Sequence, residues 1–246
     1  YNIIALNLCC TYIIYRFLLV GRYSFMIPYC NFSIRSFIGG YDKNFTYLIT
    51  CNATAEHLLI DASVNIKKIL PFIKKFPLAL LITHSHSDHI SYIKQYLDFF
   101  HNLIVIGHPD TTLSLKIKNF KTMTHNQEIR FGSLNLTAIH TPGHYYDSIC
   151  YQLNPVLFTG DTLFVGRTGR VVSDRSDVNH LYDSIYKKIL NLPHNTIIYP
   201  GHDYGSQPTI SLKDNIKISP LLNAKNRNNF IDLMKEYEKS RRSLNK

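Results

Sequence analysis

Short apolar runs separated by polar turns dominate the first half of the chain. Residues 34–63 carry strand-like runs around a Gly-Gly turn, a pattern that predicts the opening hairpin of a sheet. Residues 65–76 repeat apolar side chains at a helical period, and residues 78–82 form an apolar run typical of a buried strand. Residues 90–99 predict a further helix. The first half therefore predicts a sheet with helical connections.

The second half continues with paired strands and closes with helices. The predicted strands cover residues 103–106, 127–131, 134–139, 148–153, 156–159 and 196–199, and the predicted helices cover residues 178–190 and 228–243. Strands and helices interleave, and hairpins occur beside crossovers. This order favours a mixed two-sheet α/β layer architecture over a purely parallel doubly wound sheet.

Length and composition allow one large core. The chain has 246 residues, 45% of them hydrophobic and only 18% charged, which is enough apolar material for one sizeable domain. We divide it into an apolar N-terminal extension (residues 1–25), a central domain (residues 26–209) and a helical C-terminal segment (residues 210–246) that we expect to pack on that domain.

The N-terminal extension leaves three interpretations open. Its apolar run is near the lower length limit of a membrane span, and it lacks the basic start and cleavage site of a signal peptide. It could be a weak anchor, a remnant of a targeting segment, or an extension foreign to the folded domain, which is the interpretation we favour. The five cysteines form no CxxC pair, which favours a reducing compartment. We expect a cytoplasmic protein, with an organellar or membrane-anchored location if the extension is an anchor.

Charge alone does not choose between a small anionic molecule and a nucleic acid as the partner. The formal net charge is +10, and the basic residues are scattered along the chain. Scattered basic residues are typical of solvated helix faces, although the summed field also attracts anions. A basic stripe interleaved with aromatic residues, as single-stranded nucleic acids require, is missing. We expect a small anionic molecule as the partner and no nucleic acid, and the oligomeric state stays open.

Candidate metal ligands follow the ends of four predicted strands. Four of them lie in the stretch of residues 83–89, directly after the apolar run at residues 78–82. The full set is His84, His86, Asp88, His89, His144, Asp161 and His202. Imidazole and carboxylate groups suit zinc, iron or manganese. Two adjacent ions that share a carboxylate would use all seven residues, whereas one iron held by two histidines and a carboxylate would use fewer.

Four motifs carry a family resemblance. They are Thr83-His84-Ser85-His86-Ser87-Asp88-His89, Thr141-Pro142-Gly143-His144, Phe158-Thr159-Gly160-Asp161-Thr162 and Pro200-Gly201-His202-Asp203-Tyr204. Together they resemble the metallo-β-lactamase-fold hydrolases, and most of all the branch of glyoxalase II (hydroxyacylglutathione hydrolase) and persulfide dioxygenase. The resemblance covers about residues 34–242. It implies a four-layer αββα sandwich with the site at one edge of the sheets.

The resemblance also implies a division of the ligands. His84, His86 and His144 would hold a first metal ion, Asp88, His89 and His202 would hold a second, and Asp161 would bridge the two. Asp88 and Asp161 would thereby be catalytic residues. Zinc is the expected ion at both positions, with iron or manganese as alternatives. A hydroxide held between two such ions would attack a carbonyl carbon.

Two further residues concern the substrate. In the resembling enzymes a basic residue at the place of Arg170 engages a glutathione carboxylate, and a tyrosine at the place of Tyr204 lies near the thiol portion. Persulfide dioxygenases usually continue with Thr-Asp where this chain has Val171-Val172, and glyoxalase II has a longer helical C-terminal domain. The expected activity is hydrolysis of an S-acyl glutathione thioester. A single-iron persulfide dioxygenase is the alternative, followed by a nuclease of the same fold and a non-enzymatic metal-binding protein.

Overall fold

Two β-sheets form the centre of the molecule in the computed structural model, which describes residues 24–113 and 117–244. The seven strands of the first sheet, in spatial order, are β1 (Ser24–Pro28), β2 (Phe32–Gly39), β3 (Asn44–Cys51), β4 (His57–Ile60), β5 (Ala79–Leu81), β6 (Ile104–Gly107) and β7 (Phe120–Thr122). Strands β1 to β4 pair antiparallel, and β4 to β7 pair parallel. Residues 1–23 of the predicted extension lie outside the described residues.

The second sheet has six strands. In chain order they are β8 (Glu128–Phe131), β9 (Leu134–His140), β10 (Ile149–Leu153), β11 (Val156–Gly160), β14 (Ile197–Pro200) and β15 (Ile210–Ser211), arranged as β15-β14-β11-β10-β9-β8. Strands β11 and β14 pair parallel, and the other neighbours pair antiparallel. A separate two-stranded ribbon joins β12 (Leu163–Phe164) to β13 (Arg167–Thr168).

Helices cover the outer faces of both sheets. The α-helices are α1 (Ile93–Phe99), α2 (Val178–Ser184), α3 (Leu212–Ile218) and α4 (Arg227–Leu244). A π-helical turn, Ile185–Ile189, extends α2, and the 3₁₀ turns are Ile66–Lys68, Leu70–Phe72, Pro109–Leu113 and Pro220–Leu222. The order helix, sheet, sheet, helix confirms the predicted αββα sandwich. Within the described ranges, none of the helices is long and apolar enough to cross a membrane.

Aromatic packing joins the two sheets. Tyr47 of β3 lies with its ring centroid 5.2 Å from that of Phe158 on β11 and 5.5 Å from that of Tyr199 on β14. All three side chains are buried. Because offset and edge-on aromatic pairs add to the gain from apolar burial, this cluster fixes the first sheet against the second directly behind the edge at which β11 and β14 end.

The predicted helix over residues 65–76 is wrong. The chain forms two short 3₁₀ turns, Ile66–Lys68 and Leu70–Phe72, and becomes extended at Ile73. Pro71 stands in the second turn, where it has no N–H to continue an α-helical ladder. The backbone N–H of Lys74 then donates to His57 Nε2 at 3.1 Å. The apolar residues of this stretch still cover the first sheet, so the periodicity identified the buried face but not the type of helix.

Helix α4 matches its prediction closely and brings new residues to the site edge. Phe230 and Met234 are buried in the hydrophobic cluster between the second sheet and the helices that cover its outer face. Because they lie four positions apart, they share one face of the helix. Further along that helix, Glu238 contacts Arg170, and Arg241 lines the same cleft as Arg170.

Candidate metal centre

Strand ends deliver every predicted ligand to one edge of the sandwich. The stretch of residues 83–89 follows β5, and His144 lies beyond the end of β9. Asp161 comes directly after β11, and His202 comes soon after β14. Since β11 and β14 are parallel neighbours, their carboxyl ends lie side by side. The sequence thus places its loop residues on a rigid frame of strands.

Three histidines form a first group. His84 Nε2 lies 3.0 Å from His86 Nδ1, which lies 3.1 Å from His144 Nε2. The ring planes of His84 and His86 are inclined by 73°, so their nitrogens converge on a point and the rings do not stack. The three nitrogens lie within 4.8 Å of one another. Such an arrangement could hold one ion and leave a coordination position open.

A second group combines two histidines and a carboxylate. His202 Nε2 lies 3.3 Å from Asp88 Oδ2 and 3.3 Å from His89 Nε2. His89 and His202 are buried, and Asp88 is partly buried. These donor atoms also lie within 4.8 Å of one another.

Asp161 lies between the two groups. Its Oδ1 is 3.2 Å from His89 Nε2, and its Oδ2 is 3.3 Å from His202 Nε2 and 3.6 Å from His144 Nε2. Oδ1 is buried, and within the described ranges it faces His89 Nε2 as an ion-pair partner but receives no well-aligned hydrogen bond. A buried carboxylate oxygen without a donor is costly, and a cation would compensate it. Nitrogen and oxygen donors around this oxygen fit zinc, iron or manganese.

Hydrogen bonds on the far side of three of the histidine rings fix their orientation. Nδ1 of His89 donates to Asp61 Oδ2 at 2.8 Å, and Nδ1 of His144 donates to the backbone oxygen of Arg170 at 2.9 Å. Nδ1 of His202 donates to the backbone oxygen of Asp42 at 2.8 Å. Each bond leaves Nε2 facing the centre. Partners of this kind orient metal-binding histidines and raise their affinity.

Sequence reasoning missed two of the supporting side chains. Asp61 accepts hydrogen bonds from the backbone N–H and the hydroxyl of Thr83, both at 2.8 Å, besides the one from His89. Its position directly after β4 repeats the position of Asp161 after β11, so the strand-end rule could have found it. Asn44 donates from Nδ2 to Asp88 Oδ2 at 2.8 Å. No signal in the sequence marks Asn44, because only the approach of β3 to the loop after β14 brings it there.

Gly201 permits the close approach of the two carboxyl ends. A Cβ atom at this position would lie 2.2 Å from Asp161 Oδ1 and 2.7 Å from His89 Cε1. Both distances are shorter than van der Waals contact, so any side chain here would displace the carboxylate or the imidazole. The glycine before His202 is therefore a packing requirement of the site.

Burial and neighbouring charges shift the pKa values of four candidate ligands in opposite directions. Burial and the neighbouring His89 hold the pKa of His84 well below its usual value, and burial together with His144 lowers the pKa of His86 to about 4. Burial alone would lower the pKa of His202, but Asp161 and Asp88 outweigh it and raise that pKa to about 9. Burial alone would raise the pKa of Asp161, yet His202 and His89 hold it well below its usual range.

These pKa shifts have two consequences for metal binding. His84 and His86 are neutral and ready to donate lone pairs, since metal-binding imidazoles must be unprotonated. Burial would lower the pKa of His89, but Asp161 and Asp61 outweigh it and raise that pKa. Because the pKa of His202 is raised as well, protons on the two imidazoles balance the carboxylates in the second group. A divalent ion there would replace those protons.

A cleft of about 340 Å³ opens over the metal centre. Its wall includes both residues predicted to contact substrate, Arg170 and Tyr204, together with Tyr41, Phe164 and Arg241. No motif in the sequence marks these last three residues as parts of a cleft. Arg241 comes from α4, so the C-terminal segment contributes a cation to the cleft.

Arg170 and Tyr204 are both engaged within the protein. Arg170 Nε and Nη2 donate to Glu238 Oε2 at 2.9 and 2.8 Å. The Tyr204 hydroxyl donates to Asp42, and burial together with Asp42 raises the pKa of Tyr204. The Tyr204 ring stacks on His202 with centroids 4.6 Å apart and planes inclined by 6°. Tyr204 therefore contacts a candidate ligand directly, besides facing the cleft.

Comparison with known proteins places this geometry in a family context. The family profile described as the metallo-beta-lactamase superfamily matches residues 39–202. These residues span the strands that carry all seven candidate ligands.

Curated relatives bear the names of hydrolases. A probable polyketide biosynthesis zinc-dependent hydrolase, BaeB of Bacillus velezensis, is 26% identical over 77% of this chain and 86% of its own length. A probable hydroxyacylglutathione hydrolase of Schizosaccharomyces pombe is 33% identical over 67% of this chain and 66% of its own length. The hydroxyacylglutathione hydrolase of Francisella philomiragia is 37% identical over 51% of this chain and 49% of its own length. The chain thus matches about one half to two thirds of the length of these two hydroxyacylglutathione hydrolases.

Solved structures share the fold. The crystal structure of ETHE1 from Myxococcus xanthus has a TM-score of 0.75 and 30% identity, and the match covers 82% of this chain and 89% of that one. A metallo-beta-lactamase from Staphylococcus aureus has a TM-score of 0.74 and 26% identity, over 83% of this chain and 68% of that one.

Proposed function

This chain belongs to the metallo-beta-lactamase superfamily, and from that premise we propose that it is a metal-dependent hydrolase of thioesters of the S-acyl glutathione type. The observation that carries the proposal is the pair of three-residue donor groups with Asp161 between them. Two ions that share one carboxylate are the arrangement that uses all seven donors. The relatives named zinc-dependent hydrolase and hydroxyacylglutathione hydrolase support the same reaction type.

The proposed reaction gives the side chains of the site two roles, which are to hold the ions and to orient the donors. His84, His86 and His144 would hold the first ion, Asp88, His89 and His202 the second, and Asp161 both. When bound, divalent ions of this kind polarise a carbonyl oxygen and lower the pKa of water. Asp61, Asn44 and the backbone oxygens of Asp42 and Arg170 keep the donors aimed at the centre. Buried Cys51 and Cys150 lie in the hydrophobic core, and the proposed reaction needs neither as a nucleophile.

The positive charge of the cleft favours the binding of an anionic substrate. Arg170 and Arg241 both line it, and Arg241 has no ion-pair partner among the residues that the structure describes. Arginine recognises carboxylates through its planar donor edge. Glutathione conjugates carry carboxylates remote from the sulfur, and two curated relatives are named for such a substrate. The net charge of +10 favours the approach of an anion.

A thioester panel tests this proposal. The zinc-reconstituted chain should hydrolyse S-acyl glutathione faster than a thioester with the same acyl group but without the peptide portion. Equal rates on both compounds would remove glutathione from the proposal and leave a general hydrolase. No hydrolysis of any thioester by a fully metallated chain would overturn the proposal.

A second candidate is a persulfide dioxygenase with one iron. One observation favours it: Asp88 Oδ2, the oxygen that would bind the second ion, already accepts a hydrogen bond from Asn44 at 2.8 Å. If Asp88 serves that bond instead of a metal, one ion held by histidines and Asp161 is enough, and open positions remain. An iron-loaded chain would then consume oxygen with glutathione persulfide. An iron-loaded chain that consumes no oxygen with glutathione persulfide would exclude this candidate.

A further inference from the structure

The arginine at the mouth of the cleft is covered by an internal carboxylate. Arg170 lines the cleft, and its Nε and Nη2 atoms both donate to one oxygen of Glu238, at 2.9 and 2.8 Å. This Nε–Nη2 edge is one that a free carboxylate would use. Glu238 therefore occupies the position of an anionic ligand and belongs to α4, outside the metal-binding motifs.

In the Arg170–Glu238 pair, one of the two carboxylate oxygens of Glu238 accepts no hydrogen bond from the described residues. Both donors converge on Oε2, while Oε1 is buried without a hydrogen-bond partner in the described part of the chain. A buried carboxylate oxygen without a donor destabilises the arrangement that contains it. A bound anion that took over the Arg170 contact would release Glu238 from this position.

A neighbouring cavity gives the released side chain a place to go. A cavity of about 530 Å³ has Glu238 in its wall, together with Lys235 and Lys239 of the same helix. Both lysines are exposed. Lys235 lies three positions before Glu238 and so shares its side of the helix, where it makes an exposed ion pair with Asp232 at 3.2 Å, and Lys239 lines the same cavity. A rotation of the Glu238 side chain towards them would exchange one cation for another without any movement of the α4 backbone.

We propose that Glu238 is a specificity-determining residue, which covers Arg170 until a substrate with a carboxylate remote from the reacting bond displaces it into the cavity beside Lys235 and Lys239. The inference rests on the proposed function of this cleft and names its substrate class. A substrate without such a carboxylate leaves the Arg170–Glu238 ion pair intact, and Arg170 then adds nothing to its binding affinity. The opposing view is that Arg170 and Glu238 form a permanent clamp that only anchors α4.

Binding of an inert probe separates the two views. The probes are S-methylglutathione and its dimethyl ester, whose dissociation constants are measured by calorimetry on the metallated full chain. In Glu238→Gln the competing charge is gone, so S-methylglutathione should bind about two- to fivefold more tightly, the range expected for one partly exposed ion pair. The dimethyl ester should bind unchanged. Glu236→Gln removes the same charge from an exposed position of α4 and should change neither constant.

Two further variants complete the test. Glu238→Asp keeps the charge but is one methylene too short to cover Arg170, so it should also tighten the binding of S-methylglutathione, which a simple change of net charge would not do. In the Arg170→Ala background the effect of Glu238→Gln should vanish, because the two residues then no longer couple. Unchanged or weakened binding of S-methylglutathione in both Glu238 variants would overturn the proposal. So would equal effects on the ester, or no binding by any variant.

Hydrolysis is measured separately, so the two proposals can fail separately. Thioester hydrolysis by the parent chain without any effect of the Glu238 variants would overturn the inference about Glu238 alone. The expected binding changes in a chain that hydrolyses no thioester would overturn the proposed reaction alone.

Discussion

Asp161 is the single residue on which both donor groups depend. Its two oxygens face His89 on one side and His202 and His144 on the other, at 3.2 to 3.6 Å. Its buried Oδ1 has no hydrogen bond within the described ranges, and Gly201 leaves room for that atom and for nothing larger. The local backbone therefore serves to present one carboxylate to two positions.

Replacement of Asp161 by alanine should abolish metal binding at both positions and all activity. The physical reason is that the three imidazoles of the first group lose the carboxylate they share, and the second group keeps only that of Asp88 to compensate a cation. Metal analysis after gel filtration gives the readout. Asp174→Ala, an exposed acidic residue, is the control and should retain its metal. Full metal content in Asp161→Ala would contradict the bridging role.

Asp61→Asn should weaken metal binding without unfolding the chain. The amide would keep one acceptor oxygen but would turn a donor towards Thr83 or His89, both of which donate to Asp61. Loss of a partner behind a metal-binding histidine typically costs about 10- to 100-fold in affinity or activity. Competition with a chelator of known affinity measures the change, and Asp98→Asn, exposed on α1, provides the matched control. An unchanged affinity would reduce Asp61 to a purely structural residue.

The sequence predicted the seven candidate ligands because each stands at the end of a readable strand. It did not predict Asn44, since a polar residue at the start of a strand has no pattern of its own. Nor did it predict that Arg170 pairs with Glu238, because that contact joins positions 68 residues apart. Contacts that tertiary packing alone creates leave no periodic trace in the chain.

Helix α4 packs at its start against the helices over the outer face of the second sheet and reaches the cleft near its end. Phe230 is fully buried near its start, with its ring centroid 5.6 Å from that of Tyr182 and 6.0 Å from that of Tyr186. Arg241 lies near the end of the same helix and lines the cleft. Packing at one end of α4 therefore positions a cation at the other end.

Phe230→Ala should destabilise the fold by about 3–5 kcal/mol, the usual cost of removing a buried aromatic ring. Chemical denaturation measures this loss. Because α4 then holds Arg241 less firmly, the KM for an anionic substrate should rise more than kcat falls. Asn228→Ala, exposed on the same helix, should leave both stability and KM unchanged. A destabilised variant with an unchanged KM would separate α4 from substrate binding.

At the scale of elements, most strands and the long helix were predictable, whereas the edge strands β1, β7 and β15 and the short irregular segments were not. Helix α4 and strand β5 lie close to their predicted bounds because an apolar face or an apolar run specifies each. The stretch of residues 65–76 has helical periodicity, but Pro71 divides it into 3₁₀ turns. The ribbon of β12 and β13 has only two residues in each strand, too few for any periodicity to appear.

At the scale of the whole molecule, the candidate ligands come from both sheets. The stretch of residues 83–89 belongs to the first sheet, whereas His144, Asp161 and His202 follow strands of the second. An ion bound by residues of both sheets would link the two halves of the sandwich. Metal binding should therefore contribute to the stability of the entire fold.

Removal of metal should lower the Tm of the chain. A ligand that binds only the folded state stabilises it by RT ln(1 + [L]/Kd), about 4 kcal/mol at a concentration 1,000 times the Kd. Differential scanning calorimetry with and without a chelator measures the shift, and added zinc should reverse it. The same chelator should not shift the Tm of Asp161→Ala. A chelator-independent Tm in the parent chain would show that the ions do not link the sheets.

We propose that this chain is a two-metal thioester hydrolase. The most direct measurement determines, on one purified sample, the number of zinc ions per chain, the rate of S-acyl glutathione hydrolysis and the rate of oxygen consumption with glutathione persulfide. We predict two ions per chain, hydrolysis that depends on them, and no oxygen consumption. One tightly bound iron per chain, no thioester hydrolysis, and oxygen consumption with the persulfide would contradict the claim.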